Sequence, residues 1–199
     1  NGLADLQITT GSSVASDASL QGFYTFEDPG DPGNDDSPLG LNDGTVQGGT
    51  TPVFDAERGG NVLPFDGLDD HVRIPGLFGE PSDVTLAAWV NLAGGFLNGW
   101  TISLGSGVSL VLDATIGGSG VMGVFSDGAT YPITDSGVFI NGTGWHHVAF
   151  TFDDDNHVQT IYVDGVAGTP TSHAGSISYS GGTDSYLGRH GMLPGTSLQ

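Results

Sequence analysis

Carboxylates crowd two short loops of this 199-residue chain, and they are its first candidates for chemistry. Residues 28–44, DPGDPGNDDSPLGLNDG, carry Asp28, Asp31, Asp35, Asp36 and Asp43 beside Asn34 and Asn42. Residues 66–70, DGLDD, add Asp66, Asp69 and Asp70. Calcium takes roughly six to eight oxygen ligands from Asp, Asn and backbone carbonyls, and Gly-rich loops let carbonyls turn toward it. Neither loop has the EF-hand spacing, since no Glu stands at the closing position. Asp and Asn also form turns without any metal. Like charges packed this closely repel unless neutralised, so at least one bound Ca²⁺ is expected. Its expected ligands are Asp36, Asn42, Asp43, Asp66 and Asp70.

Residues 144–165, GWHHVAFTFDDDNHVQTIYVDG, gather three histidines and four aspartates around two apolar runs. His146 and His147 are adjacent on a strand pattern, so their side chains point to opposite faces and cannot chelate one ion together. The six histidines are otherwise scattered, which does not suit a zinc site. The 153–156 stretch, DDDN, reads as an exposed turn. Asn141-Gly142-Thr143 is a formal glycosylation sequon, meaningful only in a eukaryotic secretory setting. Glycoside hydrolysis uses two carboxylates flanking a sugar, and none of the three glutamates, Glu27, Glu57 and Glu80, stands in a Glu-x-Asp-x-x-Glu strand that would supply them. Serine and aspartate abound, yet no Gly-x-Ser-x-Gly elbow exists. The chain is therefore expected to bind rather than catalyse. Aromatic platforms for a ligand are sought in Trp100 of GGFLNGWT, Phe78 of GLFGEP, Tyr131, Tyr179 and Tyr186. Loops expose such rings, which favours Trp100.

The elements that must position these residues are strands. Val148, Phe150 and Phe152 alternate with Ala149 and Thr151, the two-residue period of a half-buried strand. The run HVQTIYV follows after the polar turn, and Asp164-Gly165 suits the positive φ angles of a tight hairpin, so a further strand is expected beyond it. In DVTLAAWVN, residues 83–91, Val84, Leu86, Ala88 and Val90 share one face while Thr85, Ala87, Trp89 and Asn91 share the other. Strand-like runs also stand at 23–27, 62–66, 71–75, 101–104, 108–113, 120–125 and 184–188. Many short strands parted by Gly, Asp, Asn and Pro turns predict an all-β, two-sheet antiparallel sandwich.

Charge bounds the partners. Three arginines and no lysine face 23 acids, for a net charge of −20. No basic surface exists to meet nucleic acid phosphates or anionic lipid. A salty or calcium-rich extracellular milieu would screen the self-repulsion. Cysteine is absent, so no disulfide stabilises the chain. No apolar run approaches the length of a membrane span, and the opening NGLADLQITT carries no signal-peptide pattern.

The succession FYTFED, GLNDGTV, VLPFDGLDDHVRIPG, DVTLAAWVNL, GWHHVAFTFD, TIYVDGVA and SYLGRHG resembles the laminin-G-like members of the concanavalin A-like lectin/glucanase superfamily, in order over residues 20–191. The resemblance implies a jelly roll whose members mostly bind ligands, often with a structural or ligand-bridging calcium. It also makes the 144–165 segment a framework hairpin. The family's closing strand is missing after LGRHG, whereas NGLADLQIT at the start resembles it, with Gly2, Leu3, Asp5, Leu6 and Ile8 at matching positions. Either residues 1–9 complete this domain by permutation, with the main body at 20–191, or they are the tail of a preceding repeat. The first is expected, because a jelly roll short of one strand exposes an edge. Asp5 then adds to the calcium ligands. The resemblance implies a non-catalytic, calcium-assisted extracellular module of a bacterial adhesin-type protein, recognising a glycan or a protein ligand. A structural spacer without a ligand and an accessory carbohydrate-binding module of a polysaccharide hydrolase are the alternatives.

Overall fold

In a computed structural model, described over residues 17–92, 99–113 and 120–191, the chain forms fourteen strands. They are β1 (Thr45–Gln47), β2 (Val53–Asp55), β3 (Gly60–Val62), β4 (His71–Pro75), β5 (Val84–Asn91), β6 (Gly99–Leu104), β7 (Val108–Asp113), β8 (Gly120–Phe125), β9 (Ile133–Asp135), β10 (Trp145–Asp153), β11 (Val158–Val163), β12 (Val166–Ala167), β13 (Thr171–Ser172) and β14 (Asp184–Leu187). A seven-stranded sheet runs β1-β4-β14-β6-β7-β8-β9, and a five-stranded sheet runs β12-β11-β10-β5 with β13 also on β11. The strands pair antiparallel within both sheets, and β2 with β3 forms a separate hairpin. This is the all-β sandwich that the strand spacing predicts.

The alternation read from sequence becomes the core. Leu86 and Val90 of β5, Val148, Phe150 and Phe152 of β10, and Ile161 and Val163 of β11 face Val108, Leu110 and Leu112 of β7 and Val121 and Phe125 of β8. Their burial supplies the hydrophobic stabilisation of the sandwich, on the order of 2 kcal/mol per large side chain. A smaller cluster of Leu63, Val72 and Ile74 takes in Tyr24, Phe26, Val46, Phe65, Phe78 and Leu187 beside it. The hairpin of β10 and β11 pairs Phe150 with Ile161 and Val148 with Val163. Asp164 and Gly165 turn its far end at φ 50° and 78°, and β12 follows as the turn requires.

Two expected strands are not strands. Residues 23–27 lack ladder pairing because carboxylates capture their backbone donors. Phe23 N–H donates to Asp35 Oδ1 at 2.9 Å, Thr25 N–H donates to Asp36 Oδ2 at 3.3 Å, and Phe26 sits at φ 61°, outside the extended region. Residues 62–66 contribute only Val62 to β3, since Pro64 has no N–H to donate. The closing strand expected at 1–9 lies outside the described residues.

Candidate ligand-binding site

β4 leaves the seven-stranded sheet beside the point where β14 enters it, and Gly76 bridges Asp184 there. The turn from β6 to β7 comes up next to them. Ser106 N–H and its hydroxyl donate to Gly181 O at 2.7 and 3.0 Å, and Gly105 N–H donates to Asp184 O at 3.1 Å. Ser185 Oγ donates to Gly76 O at 2.9 Å, pinning the other wall. Between the segments 76–80 and 179–183 an open groove of about 620 Å³ is lined by Leu77, Glu80, Tyr179, Ser180 and Thr183 with Gly76, Gly79 and Gly182. That volume lies within the range of small-ligand sites.

The groove wall is conformationally special. Phe78 and Glu80 hold φ 52° and 55°, around Gly79 at 77°. Left-handed non-glycine residues cost about 1 kcal/mol or more each, and such strain gathers at ligand clamps. Glu80 N–H closes this turn on Leu77 O at 2.9 Å. Tyr179 is the groove's aromatic surface. Its hydroxyl donates to Pro81 O at 2.9 Å, and its ring packs so tightly on Gly107 that a Cβ there would stand 2.6 Å away. Burial, with the nearby Glu80 charge, pushes the Tyr179 phenol far above its ordinary range, so it stays neutral. A rigid aromatic edge, two hydroxyls, one carboxylate and glycine backbone can hydrogen-bond a polyhydroxylated ligand.

The five expected aromatic contacts part company, and Tyr186, on β14, does not line the groove. Tyr179 lines the groove, while Phe78 belongs to the loop that forms it but packs toward both apolar clusters. Tyr131 is 63% exposed on the connection from β8 to β9, and Trp100 sits on β6 with its ring edge-on to His190 at 4.1 Å. Neither lines the groove. Ser180, Thr183 and Glu80 were absent from the sequence expectations. Their only signal was a place in Gly-rich segments.

The expected calcium ligands also divide. Asp5 lies outside the described residues. Asp66 and Asp70 come together with Asp69, their ligand oxygens within 4.8 Å of one another. Asp70 is buried, accepting from Thr50 N–H through Oδ1 and from Asp66 N–H through Oδ2, both at 3.1 Å. Each carboxylate oxygen keeps a second lone pair, so a hard cation fits this all-oxygen set, with water completing its shell. Asp36, Asn42 and Asp43 lie in the other loop and are engaged locally. Asp36 accepts from Thr25 and from Asn34 Nδ2, Asn42 Nδ2 donates to Gln21 O, and Asp43 Oδ1 accepts from Asp35 N–H. The organiser of that loop is Asp35, 4% exposed, whose two oxygens accept the N–H groups of Phe23, Ser37 and Asn42.

Two of the hairpin's three histidines, His146 and His147, make side-chain contacts within the framework. His146 bridges Thr143 Oγ1 at 2.8 Å and Asp164 Oδ2 at 2.7 Å, tying the chain before β10 to the turn after β11. His147 lies edge-on to Trp89 at 5.4 Å, and burial pushes its imidazole below the ordinary value.

The chain belongs to the concanavalin A-like lectin/glucanases superfamily, whose laminin G model matches residues 65–197. No curated protein matches it. Among solved structures it is similar to domain 4 of AbnA, an extracellular arabinanase from Geobacillus stearothermophilus, solved in complex with arabinotriose. The TM-score is 0.69 at 17% identity, over 90% of this chain and 87% of that one. It is also similar to the binding domain of botulinum neurotoxin DC, solved in complex with rat synaptotagmin II. There the TM-score is 0.51 at 12% identity, over 77% of this chain and 40% of that one. At these identities the likeness is one of fold.

Proposed function

We propose that this domain is a non-catalytic, extracellular ligand-binding module of an adhesin-type protein that holds a glycan in the groove between residues 76–80 and 179–183. The observation that carries the reading is that groove, a strained, glycine-rich clamp with a rigid tyrosine and hydroxyl groups at a sheet end. A non-catalytic role is supported by Glu80 being the one carboxylate that lines it among the described residues, whereas glycoside hydrolysis uses a pair. The shared fold with a domain solved around arabinotriose is consistent with a saccharide ligand. Calcium is proposed at Asp66, Asp69 and Asp70, as a stabiliser of the adjoining loops. Residues 1–9 are proposed to close the sandwich within the same domain; β5 pairs only with β10 among the described residues, which leaves it an edge to receive a strand.

An array of immobilised glycans, probed with and without Ca²⁺, tests the binding reading. The wild-type chain should retain one family of saccharides, and Glu80→Gln with Thr183→Val should weaken retention about tenfold while leaving the melting curve in place. A spacer would bind none of them. Retention that both substitutions leave untouched would move the site elsewhere.

A further inference from the structure

Arginine is scarce enough in this chain for each one to be informative, with three against 23 acids and no lysine. Two of the three share the face of the seven-stranded sheet turned away from the core. Arg73 of β4 is the cross-strand partner of Tyr186 of β14, and Tyr186 is in turn the partner of Ser103 of β6. Past β14, Gly188 N–H donates to Thr101 O at 2.9 Å and Ser103 Oγ donates to Arg189 O at 2.7 Å. The chain thereby folds back over β6 and brings Arg189 to the same row. Its guanidinium carbon stands 5.3 Å from the centre of the Tyr186 ring.

The two guanidiniums are not equivalent. Arg73 is matched by Asp184 Oδ2, at 2.9 Å from Nε and 2.8 Å from Nη2. Arg189 forms no ion pair among the described residues. Among those residues its side chain makes one hydrogen bond, to His71 Nε2 at 3.3 Å. His71 Nδ1 lies 2.7 Å from Asp69 O, an atom that can only accept, so Nδ1 carries the proton and Nε2 receives the one from Arg189. Among the described residues most of the five guanidinium donors have no protein acceptor, and Nε is buried without one. Two neighbours repeat the pattern. Trp100 Nε1 and Thr101 Oγ1, at the bulge in β6, are also buried without partners. Those three buried atoms offer no surface to a ligand, whereas Arg189 as a whole is only partly buried, so its terminal Nη donors are the groups an anionic acceptor would meet.

We propose that this outward face is a second binding site, for an oxyanion-bearing ligand such as a uronic acid carboxylate or a sulfate ester, held by Arg189 beside the Tyr186 ring. Arg73 flanks the site, and the Asp69–His71 pair fixes the guanidinium. A fork of parallel N–H donors matches a carboxylate or sulfate, which is why arginine outperforms lysine in this role. The site is separate from the groove, so it stands or falls independently of it.

With only three arginines, the ¹H–¹⁵N spectrum of the arginine Nε–H groups holds three signals, assigned by Arg58→Lys, Arg73→Lys and Arg189→Lys. The protein is titrated at constant ionic strength with sodium glucuronate, with sodium sulfate, and with neutral glucose. A saturable shift of the Arg189 signal with glucuronate or with sulfate, absent with glucose, is expected; whichever anion gives it identifies the source of the oxyanion. Arg189→Gln should weaken that binding about tenfold or more, the effect of one lost charge-assisted hydrogen bond. Should that variant unfold, Arg189→Lys keeps the charge and is expected to bind more weakly than wild type. Arg58→Lys, over Trp89 on the other sheet, should leave the response unchanged. An Arg189 signal that ignores both anions, or that moves equally with glucose, overturns the proposal.

Discussion

Gly123 on β8 stands where Phe150 of β10 crosses the sandwich, and a Cβ there would lie 1.8 Å from the Phe150 ring. The contact is backbone against a fully buried ring, so neither partner can yield cheaply. Gly123→Ala should destabilise the fold by roughly 3 kcal/mol, read from denaturant unfolding, and adding Phe150→Leu should recover part of the loss. Additive losses would show that the two positions do not touch. Asp35 is the second residue on which a whole loop rests. Burial pushes its carboxyl up, but the donors from Phe23, Ser37 and Asn42 outweigh burial and hold it below the ordinary value. Asp127 is held well below the carboxylate range by the N–H and hydroxyl of Thr130, with Ala129 and His173 adding to this. A depressed folded value means stability that is present above the unfolded pKa and lost as pH falls through the folded one. Tm should be flat above about pH 5 and fall below about pH 4. Asp35→Asn should lower Tm at neutral pH and soften that acid fall; an unchanged acid limb would assign the dependence to other carboxylates.

At the scale of elements, Arg58 at the tip of the β2–β3 hairpin lies over the Trp89 ring at 3.9 Å and faces Trp145 at 5.6 Å. The turn itself is closed by Asp55 Oδ1, which accepts the N–H groups of Glu57 and Arg58. The hairpin is thus fastened to the outer face of the five-stranded sheet at Trp89, which is 47% exposed. Arg58→Ala should remove about 1 kcal/mol and speed amide exchange across 53–62 while β10 and β11 stay protected. Unchanged exchange would mean that Glu27, which accepts from Asn61 N–H, holds the hairpin alone. Elements with strict alternation, such as β5 and β10, were legible in the sequence because one face had to be buried. Residues 23–27 were not, because their aromatic pattern is satisfied by packing while side-chain carboxylates replace the ladder. The groove was legible only through Tyr179 and the neighbourhood of Phe78. Its shape comes from left-handed backbone at residues that no propensity would place there. The oxyanion face was illegible for a different reason, since it unites positions 71, 73, 100, 186 and 189 through sheet register.

For the whole molecule, 23 acids against three arginines make self-repulsion the dominant long-range term. Adding salt should raise Tm, and Ca²⁺ added after chelation should raise it further by binding the folded state at Asp66, Asp69 and Asp70. Asp69→Asn should abolish the calcium gain without changing the calcium-free Tm; a gain that survives places the cation elsewhere. Deleting residues 1–9 should lower Tm sharply if Leu6 and Ile8 are buried in the sandwich, since two such side chains contribute on the order of 3–6 kcal/mol. A truncated chain as stable as the full one assigns that segment to a neighbouring repeat.

The groove at the end of β4 and the start of β14 is predicted to be where a glycan binds. Its most direct test is an amide ¹H–¹⁵N titration with the saccharide that the array retains. Saturable shifts confined to residues 76–80, 105–107 and 179–183 are predicted. Shifts centred on Trp89 and the five-stranded sheet, or no saccharide that shifts any amide, would contradict it.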